Sequence, residues 1–283
     1  GCKPSSQSQK FSIPELTTQD VREAVEKMGI DPGSLGEAQT SLLAVPLHLK
    51  LFGEILEMTD SQRPAPRFTF STLKDLYDEY WDQKRRLIRA RYDDITFQKP
   101  LFSLNQRINQ RQQLALPKSR LDRAYEDDRD VLVSENVLVD DDDQIAFFHE
   151  TFFDYVFALD FMSRGTRLVN YVREEDQALF LRAPIRQVLV HLREDDFQAY
   201  VDEAEYLLYG KDIRFHVRQL VLALIGRVND PTPEEWELIE PLLEDSDIDG
   251  VTWLSGIFYG SEGWFRLLDR RGLLKTWLAS DEQ

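Results

Sequence analysis

The first part of the chain has the apolar spacing and the end signals of a small helical bundle. Thr17 followed by Asp20 predicts a capped helix start, because the two side chains can satisfy each other's backbone N–H groups. Gly29 predicts the end of this helix, because glycine readily adopts the left-handed conformation found there. The expected buried face consists of Val21, Val25 and Met28.

Two further helices are predicted before the first proline-rich segment. Ser34 with Glu37 repeats the capping pattern. Pro46 interrupts the helix that follows and is well suited to the first turn of a new one. The stretch Met58–Ser71 has little apolar periodicity and is interpreted as a linker. The buried face expected for the helix that starts at Pro46 consists of Leu47, Leu51, Phe52, Ile55 and Leu56.

The middle of the chain changes from helical to strand periodicity. A long amphipathic helix begins near Leu73, and further helical stretches are predicted at Leu101–Leu116 and Ser119–Tyr125. The acidic run Asp140–Asp143 is the expected turn of a hairpin, and helices followed by a small hairpin are typical of a winged helix. The β-prone runs are Val131–Val133, Val137–Val139 and Ile145–Phe148.

The remainder of the chain is predicted to be helical throughout. Glu150–Met162 is apolar on nearly all sides and should be buried between layers. Amphipathic helices follow from Ile185 onward, and Thr232–Glu235 is a strong helix start. Paired helices without an exact repeat indicate HEAT-like stacking. The expected fold is mostly α, with a helical bundle at 1–62, a winged helix at 63–162 and HEAT-like helical repeats at 163–283.

The bulk properties exclude several classes of function. A net charge of −17 disfavours binding to nucleic acid or anionic membranes, because phosphate surfaces would repel the chain. The single cysteine, Cys2, allows no internal disulfide, which fits a reducing compartment. The four histidines are scattered, so no metal site is expected. No apolar run is long enough to span a bilayer, and the polar start lacks the apolar core of a signal peptide, so we expect a cytoplasmic protein. The chain has no initiator methionine and its last helical pattern has no obvious closing device, so we expect a fragment of a longer protein.

No catalytic motif is present. The pair Gly210–Lys211 lacks the upstream glycine of a phosphate-binding loop and is followed by Asp212. His149–Glu150 begins like a zinc-protease helix, but Phe153 stands where the second histidine would be required. We therefore expect that this chain by itself is not an enzyme and binds no cofactor.

The segment FFHETFFDYVFALDFM, residues 147–162, resembles the winged-helix signature of bacterial NACHT and other STAND signalling ATPases and of NOD-like receptors. LLAVPLHLKLF, residues 42–52, is similar to the helical lid of that family, and the helices from Leu181 to Leu243 are similar to its helical scaffold. The phosphate-binding (P-loop) subdomain of the family has no counterpart in the chain. The matching positions of the signature are Phe147, His149, Thr151, Phe152, Asp154 and Tyr155.

The resemblance implies a regulatory role in a protein that binds ATP or ADP. It implies that Pro46 lies against the adenine and that a neutral His149 donates an N–H to a phosphate, which would hold the resting, ADP-bound state. The implied partners are the P-loop domain of the same protein and other proteins that bind the helical repeats. In bacteria the resemblance suggests signalling in antiphage defence.

Simpler alternatives remain open on the sequence alone. His149 could be structural, Pro46 could be only a helix breaker, and the chain could be a HEAT-like scaffold with no nucleotide link. A DNA-binding winged helix is a further alternative, but acidic residues occupy the helix before the hairpin and the hairpin tip, where they would repel phosphate. The basic positions that would support DNA binding are Lys84, Arg85, Arg86, Arg89, Arg91, Arg107, Arg111, Lys118, Arg120 and Arg123.

Overall fold

A computed structural model describes residues 14–59, 70–92, 94–244 and 261–275, and for residues 179, 243 and 244 it describes the backbone alone. The fold is mostly helical with a small three-stranded antiparallel sheet, so the mostly α prediction is confirmed. The helices are α1 Thr18–Lys27, α2 Glu37–Leu43, α3 Pro46–Met58, α4 Leu73–Arg91, α5 Gln98–Arg111, α6 Glu126–Ser134, α7 Glu150–Ser163, α8 Leu168–Glu174, α9 Arg182–Asp195, α10 Phe197–Tyr209, α11 Phe215–Ile225, α12 Pro233–Glu244 and α13 Glu262–Arg270. The strands are β1 Ala115–Pro117, β2 Leu138–Asp141 and β3 Gln144–Phe147.

The chain divides into two compact units. The first consists of Gly1–Pro100 with Asp122–Leu138, and the second consists of Leu101–Leu121 with Val139–Gln283. The division into three domains at residues 62 and 162 stays a prediction. Most of the predicted linker, at 60–69, lies outside the described residues.

In the first unit, the predicted cap of α1 is confirmed. The backbone N–H of Thr17 donates to Asp20 Oδ2 at 2.9 Å, and the N–H of Asp20 donates back to Thr17 Oγ1 at 3.2 Å. Gly29 follows the helix with φ +83°, a conformation that side-chain-bearing residues rarely adopt. The local sequence therefore determines both ends of this helix.

The predicted start of α2 was wrong by a turn. Ser34 lies in a 3-10 turn, and its hydroxyl donates to the Asp31 carbonyl at 2.6 Å instead of capping a helix. The cap of α2 is Gly36, whose N–H is accepted by Gln39 Oε1 at 2.9 Å. Asp31 explains the difference, because its carboxylate accepts the Gly33 N–H and stabilises a separate turn.

Helices α3 and α4 pack against each other in the first unit. Pro46 occupies the first turn of α3, as predicted. On its expected apolar face, Leu51, Phe52 and Ile55 are buried, whereas Leu47 and Leu56 are only half-buried. The buried aromatic and aliphatic residues of α4 are Leu76, Tyr77, Tyr80, Trp81 and Ile88.

The strand predicted at Val131–Val133 is instead part of helix α6. Only Leu132 of this run is fully buried, so the segment packs through one position and not through alternate side chains. The acidic first turn of α6 favours a helix start, because negative side chains stabilise the exposed N–H groups there. Tertiary context and this helix terminus override the β propensity of valine.

The helix predicted at Leu101–Leu116 ends earlier, at Arg111. Gln112 has φ +52°, and the N–H of Gln113 bonds back to the Ile108 carbonyl at 3.3 Å, which ends the helix. Ala115–Pro117 then forms β1, antiparallel to β3, with Leu116 opposite Ile145. The predicted helical stretch Ser119–Tyr125 consists of two short 3-10 turns, Lys118–Arg120 and Arg123–Tyr125.

The hairpin prediction is largely confirmed. The strand order is β1-β3-β2, and the acidic run lies at the connection between β2 and β3. Asp142 and Asp143 have φ of +41° and +70°, whereas Asp140 and Asp141 belong to β2. Lys118 Nζ lies 2.5 Å from Asp140 Oδ2 and offsets part of the negative charge.

The core of the second unit extends from α7 through α13. Helix α7 packs on α9, and α10 contacts α8, α9, α11 and α12. The predicted start of α12 is confirmed, because the N–H of Thr232 donates to Glu235 Oε2 at 2.9 Å and the N–H of Glu235 donates to Thr232 Oγ1 at 3.2 Å. The predicted all-round apolar helix is α7, whose buried residues are Phe152, Tyr155, Val156, Phe157, Ala158, Asp160 and Phe161.

Candidate functional site

His149 lies between strand β3 and helix α7 and is the N-cap residue of that helix. Its Nδ1 accepts the backbone N–H of Thr151 at 3.1 Å and lies 2.9 Å from Thr151 Oγ1. Serine, threonine, aspartate and asparagine are the usual N-caps, so an imidazole in this role is uncommon. The ring is therefore held by the helix start that follows it.

This contact determines where the imidazole carries its proton. An Nδ1 that accepts an N–H must be unprotonated, so the neutral ring has its hydrogen on Nε2. The Nε2 atom has no hydrogen-bond partner among the described residues, and the side chain is half-buried. His149 thus presents one available N–H donor at the start of α7.

Aromatic packing restricts the backbone on both sides of His149. The rings of Phe148 and Phe152 stack with their centroids 4.8 Å apart. The ring centroids of Phe147 and Phe153 lie 5.7 Å apart. The side-chain amide of Asn105 donates to the Phe153 carbonyl at 2.8 Å and ties α5 to α7. Such close-packed surroundings resist displacement of the histidine backbone.

Asp154 lies on the same helix and has an unusual titration. The pKa of this carboxyl is raised to about 6, mainly by burial; the positive charge of Arg186 on α9 opposes the rise, and the negative charge of Glu150 contributes to it. Asp154 is one of the positions that match the family signature, but the resemblance implied no role for it. The missing signal was its desolvation, which arises from the packing of α7 against α9 and leaves no local mark in the sequence.

Pro46 is the first residue of α3 and is half-buried. The preceding Val45 offers no side-chain cap, and the Val45 carbonyl accepts the N–H of His48 at 2.9 Å. The imidazole Nδ1 of His48 lies 2.8 Å from the Leu42 carbonyl, which links α3 to the end of α2. Pro46 belongs to the first unit and His149 to the second.

Two other kinds of feature, a metal site and a membrane span, are absent from the described parts of the chain. No group of three or more histidine, cysteine or acidic side chains there has an arrangement that could hold a metal ion. Across the same residues, no helix combines the length and the apolar character needed to cross a membrane. In comparisons with known proteins, the sequence matches no family model and no curated protein.

Proposed function

We propose that this chain is the regulatory segment of a STAND-type signalling ATPase, and that it couples the nucleotide state of a P-loop domain to a helical scaffold. The proposal depends on the hydrogen bonding of the two ring nitrogens of His149. Its Nδ1 is occupied by the Thr151 N–H, so the one remaining polar group of the ring is an Nε2 N–H donor. A phosphate oxygen of ADP is a suitable acceptor for this donor.

The arrangement of elements around His149 supports the winged-helix interpretation. Along the chain, helices α4, α5 and α6 are followed by the β2–β3 hairpin, and helices followed by a small hairpin are typical of a winged helix. His149 comes directly after the hairpin and before the buried helix α7. In the proposed resting state, this junction contacts the nucleotide through His149.

The contacts among the later helices support a stacked scaffold. Helix α8 contacts α10, α9 contacts α11, and α10 contacts α12, so each helix packs on the next but one. Helical repeats of the HEAT type bury their faces in this way. We assign to this scaffold the binding of other proteins, and to the P-loop domain of the same protein the binding of ATP or ADP.

Pro46 has a smaller part in the proposal. A proline at the first helical position leaves no N–H to satisfy and offers a compact apolar ring. The half-buried ring of Pro46 is suited to contact an adenine face. No catalytic role is assigned to this chain, because phosphoryl transfer needs the phosphate-binding loop and its lysine.

The charges of the described residues argue against a DNA-binding role. The first turn of α6 carries Glu126, Asp127 and Asp128, and the β2–β3 hairpin carries the acidic run of Asp140–Asp143. Both elements approach DNA in winged-helix proteins, so their negative charge would repel the phosphates.

The experiment is a nucleotide analysis of the full-length protein beside this chain. The full-length protein should contain a G-x-x-x-x-G-K-[ST] loop and should retain ADP through purification, whereas the chain alone should bind ATP no better than millimolar in calorimetry. The proposal is overturned if the full-length protein has no such loop, or if it neither retains a nucleotide through purification nor binds ATP or ADP when they are added. Micromolar ATP affinity of the isolated chain also contradicts it.

A further inference from the structure

Phe215 is the most exposed large apolar side chain in the part of the chain that the structure describes. It lies at the start of α11 in the second unit and is 70% exposed. An aromatic side chain carries a large apolar area, so a ring left in water contributes strongly to association once a partner covers it. The neighbouring backbone shows that this exposure is built into the fold.

The residues on both sides of Phe215 are bonded to Gln177. The backbone N–H of Arg214 donates to Gln177 Oε1 at 2.6 Å, and Nε2 of His216 donates to the Gln177 carbonyl at 2.9 Å. Gln177 is buried and has φ +49°, and Asp176 before it has φ +51°, a conformation that residues with side chains rarely adopt. Such strain persists only where surrounding bonds hold it. The support of Phe215 is therefore rigid, which lowers the entropy lost when a partner binds.

A cavity of about 310 Å³ opens between helices α7, α8, α9 and α10 of the same unit. A cavity of about 150 Å³ already accommodates benzene, so this one is large enough for a phenyl ring. Its apolar lining consists of Phe161, Met162, Leu168, Leu192 and Ala199.

The charges at the cavity are negative in sum. Arg167 Nε donates to Glu203 Oε1 at 2.8 Å, and this ion pair is neutral. Asp196 and Asp202 are exposed lining residues, and no cation among the described residues forms an ion pair with them. A partner with positive charge beside its apolar group is therefore favoured.

The charges beside Phe215 have the opposite sign. Lys211 lies in the loop before α11 and Arg218 lies near the start of that helix, and within the described ranges neither forms an ion pair with an acidic side chain. The other charges nearby are neutralised in two ion pairs, Arg173–Asp212 and Arg214–Asp176. The exposed ring and the cavity are thus complementary in polarity and in charge.

The two features lie at opposite ends of α8 and α10, which contact each other. Leu168 begins α8 and Ala199 lies in the first turn of α10, whereas Phe215 and the bonds to Gln177 follow the last turns of these helices. Helix α10 has 13 residues and therefore spans about 20 Å. Phe215 therefore cannot enter the cavity of its own chain.

We propose that Phe215 of one copy of this chain inserts into the α7–α10 cavity of a second copy. The contact uses two different surfaces, so it is heterologous and repeats head to tail. It does not involve His149 or a nucleotide.

The first test is sedimentation velocity of the chain over a range of concentrations. The wild type should associate increasingly with concentration. Phe215→Ala removes the ring and Ala199→Phe fills the cavity, and each should raise the dissociation constant about tenfold or more, as expected for a central aromatic anchor. The matched control is Phe265→Ala, at a ring of α13 that is 57% exposed, and it should leave association unchanged.

The second test is an equimolar mixture of the two variants. Phe215→Ala retains the cavity and Ala199→Phe retains the exposed ring, so the mixture should form one-to-one dimers that do not grow further. Circular dichroism checks the fold of each variant. If Ala199→Phe does not fold, Asp202→Lys, which reverses an exposed charge at the cavity, takes its place in both measurements.

Four results would each overturn the proposal. The wild type could remain monomeric at every concentration, or Phe215→Ala could associate as the wild type does. Phe265→Ala could weaken association as much as Phe215→Ala, which would indicate general apolar adhesion. The mixture of folded variants could remain monomeric, which would show that the ring and the cavity do not meet.

Discussion

Nδ1 of His149 accepts the backbone N–H of Thr151 at 3.1 Å, so one imidazole caps helix α7 and keeps its remaining N–H on Nε2. The helix cap uses Nδ1, whereas the proposed contact with a phosphate uses Nε2. A side chain that can cap the helix but does not reach as far as Nε2 should therefore separate them. Asparagine is such a side chain, because it is among the preferred N-caps.

The first prediction concerns the stability of this chain. His149→Leu should lower the free energy of unfolding by about 1 kcal/mol, because the Thr151 N–H loses its acceptor. His149→Asn should stay within about 0.5 kcal/mol of the wild type, because its Oδ1 can accept the same N–H. Urea denaturation followed by circular dichroism measures both. Equal losses for the two variants would show that ring packing, and not the cap, sets the contribution of His149.

The second prediction concerns Asp154 and pH. Its pKa is raised from 3.8 to about 6 in the folded chain, so the folded state holds more protons than the unfolded state between these values. Stability from this group therefore falls as pH rises from about 4 to about 6, and it is lowest above that range. Asp154→Asn should stabilise the chain by about 1–2 kcal/mol at pH 7.5, after allowance for partial exposure, and by much less at pH 4.5.

Denaturant unfolding at the two pH values provides the measurement for Asp154. The control is Asp202→Asn, at an exposed carboxylate of α10 that accepts a hydrogen bond from Gln198. It should change stability little at either pH. A gain for Asp154→Asn that is the same at both pH values would contradict the assigned titration.

The third prediction concerns the buried ion pair between α9 and α12. Arg193 Nε donates to Glu235 Oε1 at 2.7 Å, and the Glu235 side chain is fully buried and also accepts the Tyr200 hydroxyl at 3.0 Å. Arg193→Met should destabilise the chain by about 3 kcal/mol, because it leaves a buried carboxylate without its cation. Adding Glu235→Gln should recover part of the loss, because the amide can still accept the Thr232 N–H.

Thermal and urea unfolding of the single and double variants measure this coupling. Arg266→Met is the matched control, because the pair of Arg266 with Glu262 is exposed on both sides and should contribute at most about 1 kcal/mol. If Arg193→Met costs no more than Arg266→Met, the buried pair does not stabilise the packing of α9 and α12.

The sequence predicted those elements whose ends are encoded locally. The capping pairs at Thr17 and Thr232, the proline at the start of α3 and the hairpin turn are all confirmed, because each depends on neighbouring residues. The strand predicted at Val131–Val133 was wrong, because the burial of Leu132 and an acidic first turn favour a helix there. Local propensity is weaker than such context.

The candidate site was only partly predictable for the same reason. The position of His149 at the junction of hairpin and helix follows from periodicity, but its role as N-cap depends on the Thr151 backbone geometry. The desolvation of Asp154 arises from the packing of α7 against α9, which are separated in sequence. Side-chain types alone do not specify such environments.

The most direct test of the proposed function is the ADP affinity of the full-length protein with His149→Asn. This variant should retain the cap of α7 but lose the Nε2 donor, and one hydrogen bond to a charged oxygen contributes about 1.5–3 kcal/mol. We therefore predict that ADP dissociates about tenfold or more readily than from the wild type, with unchanged thermal stability of the nucleotide-free protein. Wild-type ADP affinity in the folded His149→Asn protein would contradict the assignment of His149 as the nucleotide contact.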